Sequence, residues 1–186
     1  MCTTKNRFPL VMKLIAAGTA VATILLVLVH HFHPQAWILS ASISTGTTCY
    51  HFVMRLVLGG IIPLFAKNIR YEHPWFQPRK WEPALYKALH LKNWKGQLPT
   101  YDPSQFDLTK NSLAQVVHNT CQAELVHEWI IVFSFIPLLF AIPCGSFPVF
   151  AVTSVLAALY DSIFVMAQRY NRPRLTRILK KKERRL

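Results

Sequence analysis

Apolar residues are concentrated in four long runs along the chain, and the segments between these runs are polar. The runs cover residues 8–29, 48–65, 125–142 and 147–167. A helix needs about 20 predominantly apolar residues to cross the hydrocarbon core of a bilayer, and each run is close to that length. The pattern predicts an all-α integral membrane protein with about four transmembrane helices, which form a single membrane domain over residues 1–186.

The first run has a rival interpretation as a secretory signal peptide, because it follows a positively charged start. The residues that come next, His30-His31-Phe32-His33-Pro34, do not resemble a cleavage site of small residues. We therefore expect the first run to be retained as a transmembrane helix.

The second run belongs to a longer apolar region, residues 36–66, whose middle is rich in serine and threonine. We expect residues 48–65 to span the membrane and the Ser/Thr stretch to form an entry turn or an interfacial segment. His51 and Arg55 are four residues apart and share one helix face. Because an ionisable residue inside a span normally faces protein or water, Arg55 is a candidate site residue. The alternative is an arginine that extends to a lipid headgroup.

Charge is distributed unevenly over the 186 residues, which are 52% hydrophobic and carry a formal net charge of +13. Eight of the 21 lysines and arginines lie in the segment 67–124 and nine lie after residue 168, whereas the two other connections have none. Positive segments stay on the cytoplasmic side of a membrane. The bias predicts a multi-pass protein of the cell membrane with both termini, the loop 67–124 and the basic tail 168–186 in the cytoplasm.

Two other function classes are disfavoured. Strong basicity can indicate nucleic-acid binding, but no nucleic-acid motif is present and the basic clusters adjoin apolar runs, so contact with membrane lipids is expected instead. The four cysteines form no C-x-x-C pair, which disfavours a thiolate metal cluster or a redox pair.

The loop 67–124 has the composition of an interfacial segment. It mixes aromatic residues with lysine and arginine, which suits a surface in the headgroup region. A short helix is predicted over residues 82–90, with Pro83 in its first turn. A second, polar helix is predicted over residues 111–129, capped by Thr109 or Asn111.

The polar helix carries a candidate catalytic pair. Glu124 and His127 are three residues apart and lie on one face, with Thr120 one turn earlier. A carboxylate beside an imidazole holds one tautomer and raises its basicity, which suits a general base acting on a hydroxyl. A simple structural pair remains open as an alternative. A metal site is disfavoured, because the chain has one E-x-x-H sequence and only eight acidic residues.

Three blocks of the chain together resemble the glycosyl-4,4'-diaponeurosporenoate acyltransferases of staphyloxanthin-type carotenoid synthesis. They extend over roughly residues 70–180 and read Trp81-Glu82…Tyr86…Trp94-Lys95…Leu98-Pro99, Thr120-Cys121-Gln122-Ala123-Glu124-Leu125-Val126-His127 and Gln168-Arg169-Tyr170-Asn171-Arg172-Pro173-Arg174-Leu175. The third block is the most specific. The chain departs from the family pattern at Asn119, where the family tends to have glutamate, and at Glu128, which separates His127 from Trp129. These departures leave the identity of the acceptor open.

The resemblance implies a membrane acyltransferase that esterifies a hydroxyl, in the family a sugar hydroxyl of a glycosylated carotenoid, with a fatty acyl group. It implies no metal and no organic cofactor. The partners would be an acyl donor (acyl-CoA, acyl carrier protein or a phospholipid), a glycolipid or glycosyl-carotenoid acceptor and membrane lipids, with no nucleic acid.

We assign the candidate site residues on this basis. His127 is the expected general base, Glu124 its orienting carboxylate and Asn171 a donor to the developing oxyanion. Trp94 and Lys95 would shape the pocket. The arginines of the third block would hold a phosphate of the donor or of lipid headgroups, or would act as a plain membrane anchor. The expected substrate-binding residues are Trp94, Lys95, Thr120, Cys121, Arg169, Tyr170, Arg172 and Arg174.

Two non-catalytic interpretations remain. A membrane scaffold or lipid-binding subunit of a pigment or envelope assembly would use Glu124 and His127 as a packing pair. A transporter or channel component has less support, because the predicted spans contain few charged residues.

Overall fold

The structure of the chain is a computed structural model that describes residues 7–185. Within that range the chain forms helices and no β-strand. The α-helices, in chain order, are α1 (Phe8–Phe32), α2 (Ala36–Phe65), α3 (Glu82–Ala88), α4 (Leu91–Trp94), α5 (Leu113–Phe133), α6 (Ala141–Cys144) and α7 (Phe147–Glu183). Short 3-10 turns lie at Pro74–Phe76, Lys95–Gln97, Pro103–Phe106 and Ile136–Phe140.

Four helical segments are long and apolar enough to cross a membrane: Phe8–Phe32, Ala36–Phe65, Leu113–Cys144 and Phe147–Glu183. Large apolar side chains also cover their outer surfaces, for example Leu14 in α1 and Leu156 in α7, which are more than half exposed. Such a surface is favourable in lipid and unfavourable in water. The predicted all-α integral membrane protein with four spans is confirmed.

Helix α2 begins at Ala36, twelve residues before the predicted start of the second span at Thr48. The Ser/Thr stretch is helical rather than an entry turn, and its hydroxyls donate to carbonyls one turn earlier, as Thr47 does to Ile43 over 2.9 Å. Thr45 also accepts a hydrogen bond from Thr23 of α1 over 3.0 Å. These hydroxyls satisfy their hydrogen-bonding capacity inside the helix pair, so the stretch is compatible with a membrane.

Helix α5 starts where the polar helix was predicted, but its cap is Ser112, whose Oγ accepts from the Gln115 amide over 3.1 Å, rather than Thr109 or Asn111. The span predicted at residues 125–142 is not one helix. Helix α5 ends at Phe133, and Pro137 lies in the short 3-10 turn that follows, because proline lacks an amide donor and restricts the residue before it. The connection to α7 turns at Gly145, whose φ of +67° is left-handed.

Helix α7 does not end at residue 167 as predicted but continues through the basic segment to Glu183. Pro173 lies inside it and removes the amide donor to Arg169, at a cost of about 3 kcal/mol in a helix interior. The helix continues because buried side-chain contacts of Arg169 and Arg172 hold the turn on the N-terminal side of Pro173 in place. Residues 168–183 are therefore helical and not an extended tail.

The chain divides into two compact units. The first comprises the residues up to Gly59 together with Trp129–Asp161, and the second comprises Gly60–Glu128 together with Ser162–Leu186.

The first unit contains a buried ion pair in the middle of its apolar helices. Arg55 of α2 pairs with Asp161 of α7, and the two side chains are 11% and 1% exposed. Arg55 also donates to the carbonyl of His51 over 3.0 Å, and its guanidinium lies 5.7 Å from the ring centroid of Tyr160. Arg55 is thus held inside the protein and does not extend to a headgroup, which decides between the two interpretations of this residue.

The second unit contains the aromatic loop and every residue assigned to the candidate catalytic and substrate-binding sets. The predicted helix over residues 82–90 is observed as α3, with Pro83 in its first turn. The interior of the second unit is formed by side chains from the loop and from α5, among them Phe76, Leu91, Val117 and Cys121. The loop is therefore a packed structure and not a linker, as its aromatic content indicated.

Replacing Arg55 by methionine leaves the buried Asp161 carboxylate without its guanidinium partner. Removal of one member of a buried ion pair costs about 3–5 kcal/mol, so we expect Arg55→Met to lower the free energy of unfolding by that order. Denaturant unfolding in detergent micelles measures it, with the exposed Lys67→Met as the matched control. Equal midpoints for the two variants would contradict a stabilising role of the pair.

Candidate active site

The carboxylate of Glu124 lies at the centre of the second unit and is fully buried. One oxygen accepts from Nη1 of Arg169 over 2.6 Å, and the other accepts from Nη2 of Arg172. A buried carboxylate is stable only when its charge is balanced and its oxygens are hydrogen-bonded, and here both conditions are met.

Every nitrogen of the Arg169 guanidinium donates to an acceptor within the protein. Nε and Nη2 contact Oε1 of Glu82 at 2.7 and 2.6 Å, and Nη1 contacts Glu124. The remaining donors reach the carbonyls of Trp75 and Gln77, both at 3.0 Å. Because each guanidinium nitrogen donates to a protein acceptor, Arg169 is committed to internal partners.

Arg172 is equally enclosed, with 2% of its surface exposed. Nε donates to Oγ1 of Thr120 over 3.1 Å, Nη2 donates to the Thr120 carbonyl and to Glu124, and Nη1 donates to the carbonyl of Phe76 over 3.1 Å. The Phe76 ring lies against the guanidinium, 5.0 Å from centroid to Cζ. Arg172 therefore ties α5 and the loop to α7.

Helix periodicity explains why these side chains converge. Arg169 and Arg172 are three residues apart on α7, and Thr120 and Glu124 are four apart on α5, so each pair shares one helix face. The 3-10 turn Pro74–Phe76 and the residue after it present carbonyls that have no partner within the turn, and the arginines supply the donors. We call the set formed by Glu82, Glu124, Arg169 and Arg172 the ion-pair cluster; its two negative and two positive charges balance.

A second group of contacts surrounds Lys95. Its Nζ donates to Oδ1 of Asn171 over 2.5 Å and lies 5.0 Å from the ring centroid of Tyr170. Tyr170 packs edge-to-face against Tyr86, with ring centroids 5.6 Å apart. Burial, reinforced by the negative charge of Glu82, raises the pKa of the Tyr86 hydroxyl above its usual value. Tyr86 thus keeps its proton and joins this group to the ion-pair cluster.

His127 occupies a different part of α5. Its imidazole is half-buried and stacks on the ring of Phe164, with centroids 4.7 Å apart and planes 10° from parallel. The next residue, Glu128, accepts a hydrogen bond from Trp75 Nε1 over 2.8 Å. The flat stacking fixes the plane of the imidazole, which a proton-transfer group requires. That Glu124 orients His127 stays a prediction, since the Glu124 oxygens accept from the two arginines.

The remaining predicted site residues differ in accessibility. Cys121 is fully buried beside Thr120, and Trp94 is half-buried with Nε1 donating to the Leu89 carbonyl over 2.8 Å. Asn171 follows Phe164 by seven residues, a distance of about 10 Å along a helix. That separation favours Asn171 as a substrate-binding group, and its role as a donor to an oxyanion formed beside His127 stays a prediction. Arg174 is exposed.

Sequence reasoning missed the role of Glu82 and of the carbonyls at residues 75–77. Glu82 had one usable signal: it is one of only eight acidic residues in a strongly basic chain, and it begins a predicted helix. The carbonyls had none, because every residue carries one and only the tertiary structure selects among them. Among residues 7–185 no group of three or more His, Cys, Asp or Glu side chains is arranged to hold a metal ion.

The ion-pair cluster yields a stability prediction. Arg172→Lys keeps the charge but loses the planar fork that reaches Thr120, Phe76 and Glu124 together, so we expect a loss of about 3 kcal/mol or more in unfolding free energy. Thermal unfolding in detergent compares it with Arg177→Lys, an exposed position on the same helix. The idea fails if the two substitutions shift the midpoint equally.

Comparison with known proteins supplies the family. Residues 72–181, more than half of the chain, match the CrtO family, described as glycosyl-4,4'-diaponeurosporenoate acyltransferase. No curated protein and no solved structure matches the chain. The matched range contains the whole ion-pair cluster, His127 and the group around Lys95. The chain therefore belongs to the CrtO family of glycosyl-4,4'-diaponeurosporenoate acyltransferases.

Proposed function

We propose that this membrane protein transfers a fatty acyl group from an activated donor to a hydroxyl of a lipidic acceptor, with the sugar hydroxyl of a glycosylated carotenoid as the acceptor class. Membership of an acyltransferase family supports this reaction. The observation that carries the proposal is the half-buried imidazole of His127, held flat against Phe164 within the matched range. Acyl transfer to a hydroxyl needs such a proton acceptor.

His127 takes the proton of the acceptor hydroxyl while that oxygen attacks the carbonyl carbon of the donor. The tetrahedral intermediate then collapses and expels the thiolate or alkoxide of the donor. The leaving group takes the proton back from His127, so the imidazole ends neutral and an ester replaces the hydroxyl. The same residue acts as base and acid in turn, and the reaction consumes no further reactant.

We assign to Glu124 a positioning role in this mechanism. Its carboxylate binds two arginines of α7 and thereby fixes α5 one turn before His127. Thr120 contributes to the same attachment through Arg172, and Cys121 is packed beside it. Trp94 retains an apolar ring face that suits contact with a sugar or an acyl chain. Under this proposal the arginines of the ion-pair cluster support the site and do not bind substrate.

One observation favours a second candidate, a non-enzymatic scaffold or lipid-binding subunit. Every guanidinium nitrogen of Arg169 donates to an acceptor inside the protein, which is what a purely structural motif requires. In that case His127 would serve only in packing. Loss of ester formation in a stable His127 variant distinguishes the two candidates.

We also propose that the chain lies in the cell membrane with both termini in the cytoplasm. Support comes from charge: the segments 67–124 and 168–186 hold 17 of the 21 lysines and arginines. This orientation places the basic part of α7 at the anionic cytoplasmic leaflet.

The orientation is testable with reporter insertions. Alkaline phosphatase inserted at the turn around Gly145 is expected to be active, since that turn would be outside. A fluorescent protein fused after residue 186 is expected to fluoresce, since it would fold in the cytoplasm. The reverse pattern of activities would contradict the proposed orientation.

The catalytic proposal is tested by lipid and pigment mass spectrometry on cells with and without the gene. We expect an ester product that is restored by the wild-type gene but reduced about 10²–10⁴-fold with His127→Ala, the usual contribution of a general base. His31→Ala, an exposed histidine of α1, is the matched control. An unchanged ester profile without the gene, or full restoration by His127→Ala at equal protein levels, would count against acyl transfer through His127.

A further inference from the structure

The group around Lys95 contains two cations that face the same space. Lys95 contacts Asn171 and Tyr170 of α7. Arg174 lies three residues after Asn171 and four after Tyr170, so it shares their helix face. The exposed Arg174 is therefore on the side of α7 that Lys95 contacts.

The electrostatics agree with this placement. Burial, followed by the positive charge of Arg174, lowers the pKa of the Lys95 amine below its usual value. In the part of the chain that the structure describes, residues 7–185, the salt bridges of the second unit involve Arg70, Arg169 and Arg172 and none includes Lys95 or Arg174. Two adjacent cations without an acidic partner repel one another, and an anion between them relieves the repulsion.

This pair differs from the arginines of the ion-pair cluster. Successive helical residues are about 100° apart, so Tyr170, Asn171 and Arg174 cluster on a face roughly opposite to that of Arg169 and Arg172. The inner arginines are buried and pair with carboxylates of the protein, whereas Arg174 is exposed and Lys95 is half-buried. Of these two pairs, Lys95 and Arg174 are therefore the cations that can pair with an anionic ligand.

We propose that Lys95 and Arg174, with the amide of Asn171, form a binding site for a phosphate group. The site rests on the proposed acyl transfer, because each candidate donor, whether acyl-CoA, acyl carrier protein or a phospholipid, carries a phosphate. The ammonium and guanidinium donate charge-assisted hydrogen bonds to the phosphate oxygens. The bond from Lys95 to Asn171 Oδ1 directs the Nδ2 end of the amide away from Lys95, where it can donate as well.

Binding is measured directly on the purified full-length chain, independently of turnover. Two probes distinguish the sources of phosphate: coenzyme A, tested by equilibrium dialysis against protein in detergent, and phosphatidylglycerol, tested by its retention on the protein in native mass spectrometry. The variants are Lys95→Ala and Arg174→Gln. The matched controls are Lys92→Ala, an exposed lysine of α4, and Arg177→Gln, an exposed arginine one turn further along α7.

We expect each variant to weaken the binding of one probe by about 10-fold or more, the usual contribution of a charge-assisted hydrogen bond, while the controls retain wild-type binding. Loss of coenzyme A binding identifies a soluble donor, and loss of phosphatidylglycerol binding identifies a lipid headgroup. If both variants bind both probes as the controls do, the inference is overturned. Because the Arg174 side chain is exposed, the substitution Arg174→Gln should leave the unfolding midpoint unchanged. A loss of binding in that variant is therefore not explained by misfolding.

His127→Ala separates this inference from the proposed function. That variant should bind the phosphate probe normally and yet form no ester. Normal phosphate binding combined with full turnover by His127→Ala would refute the catalytic assignment and leave the phosphate site standing. If the wild-type protein does not bind the phosphate probes while His127→Ala loses turnover, the phosphate site is refuted and the catalytic assignment stands.

Discussion

Two carboxylates and two guanidinium groups share one buried space, and the second unit is arranged to satisfy them. Transferring a single ion of this kind from water into a protein interior costs several kcal/mol, so the four charges are tolerable only together and only with further hydrogen bonds. Those bonds come from Thr120 and from the carbonyls of residues 75–77. The ion-pair cluster thereby joins α3, α5, α7 and the loop, because each supplies a group that the others cannot replace.

This constraint determines where chemistry can occur. A side chain whose polar groups are engaged inside the protein reaches a substrate only with loss of those contacts, which disfavours direct participation of Glu124, Arg169 and Arg172. The proposed catalysis and phosphate binding rest instead on the imidazole stacked on Phe164 and on the amine beside Asn171. The rigid cluster and the accessible groups lie on the same helices, so the former can position the latter.

The sequence predicted the existence and type of the four spans, the short helix after residue 81 and the helix that carries Glu124 and His127, because each has a strong local signal. Helix ends were less predictable. Ser/Thr content indicated an entry turn or an interfacial segment before Thr48, and the end of the apolar run indicated a helix end at residue 167, yet both segments are helical since tertiary contacts outweigh these local signals. The ion-pair partners could not be foreseen, because Glu82 and Arg169 are 87 residues apart and no local pattern links them.

Helical phase explains how one basic segment can have two roles. Read as a linear motif, residues 168–175 look like a uniform charge cluster, and a uniform role as anchor or phosphate clamp follows. Because the segment is helical, the steps from Arg169 to Arg172 and from Tyr170 to Arg174 run along roughly opposite faces. The two arginines on the inner face form ion pairs with two carboxylates and become part of the fold. The arginine on the outer face takes no part in these ion pairs. Adding or removing one residue within this segment would rotate the following arginines by about 100° and take them off their present faces, so its spacing is constrained as well as its composition.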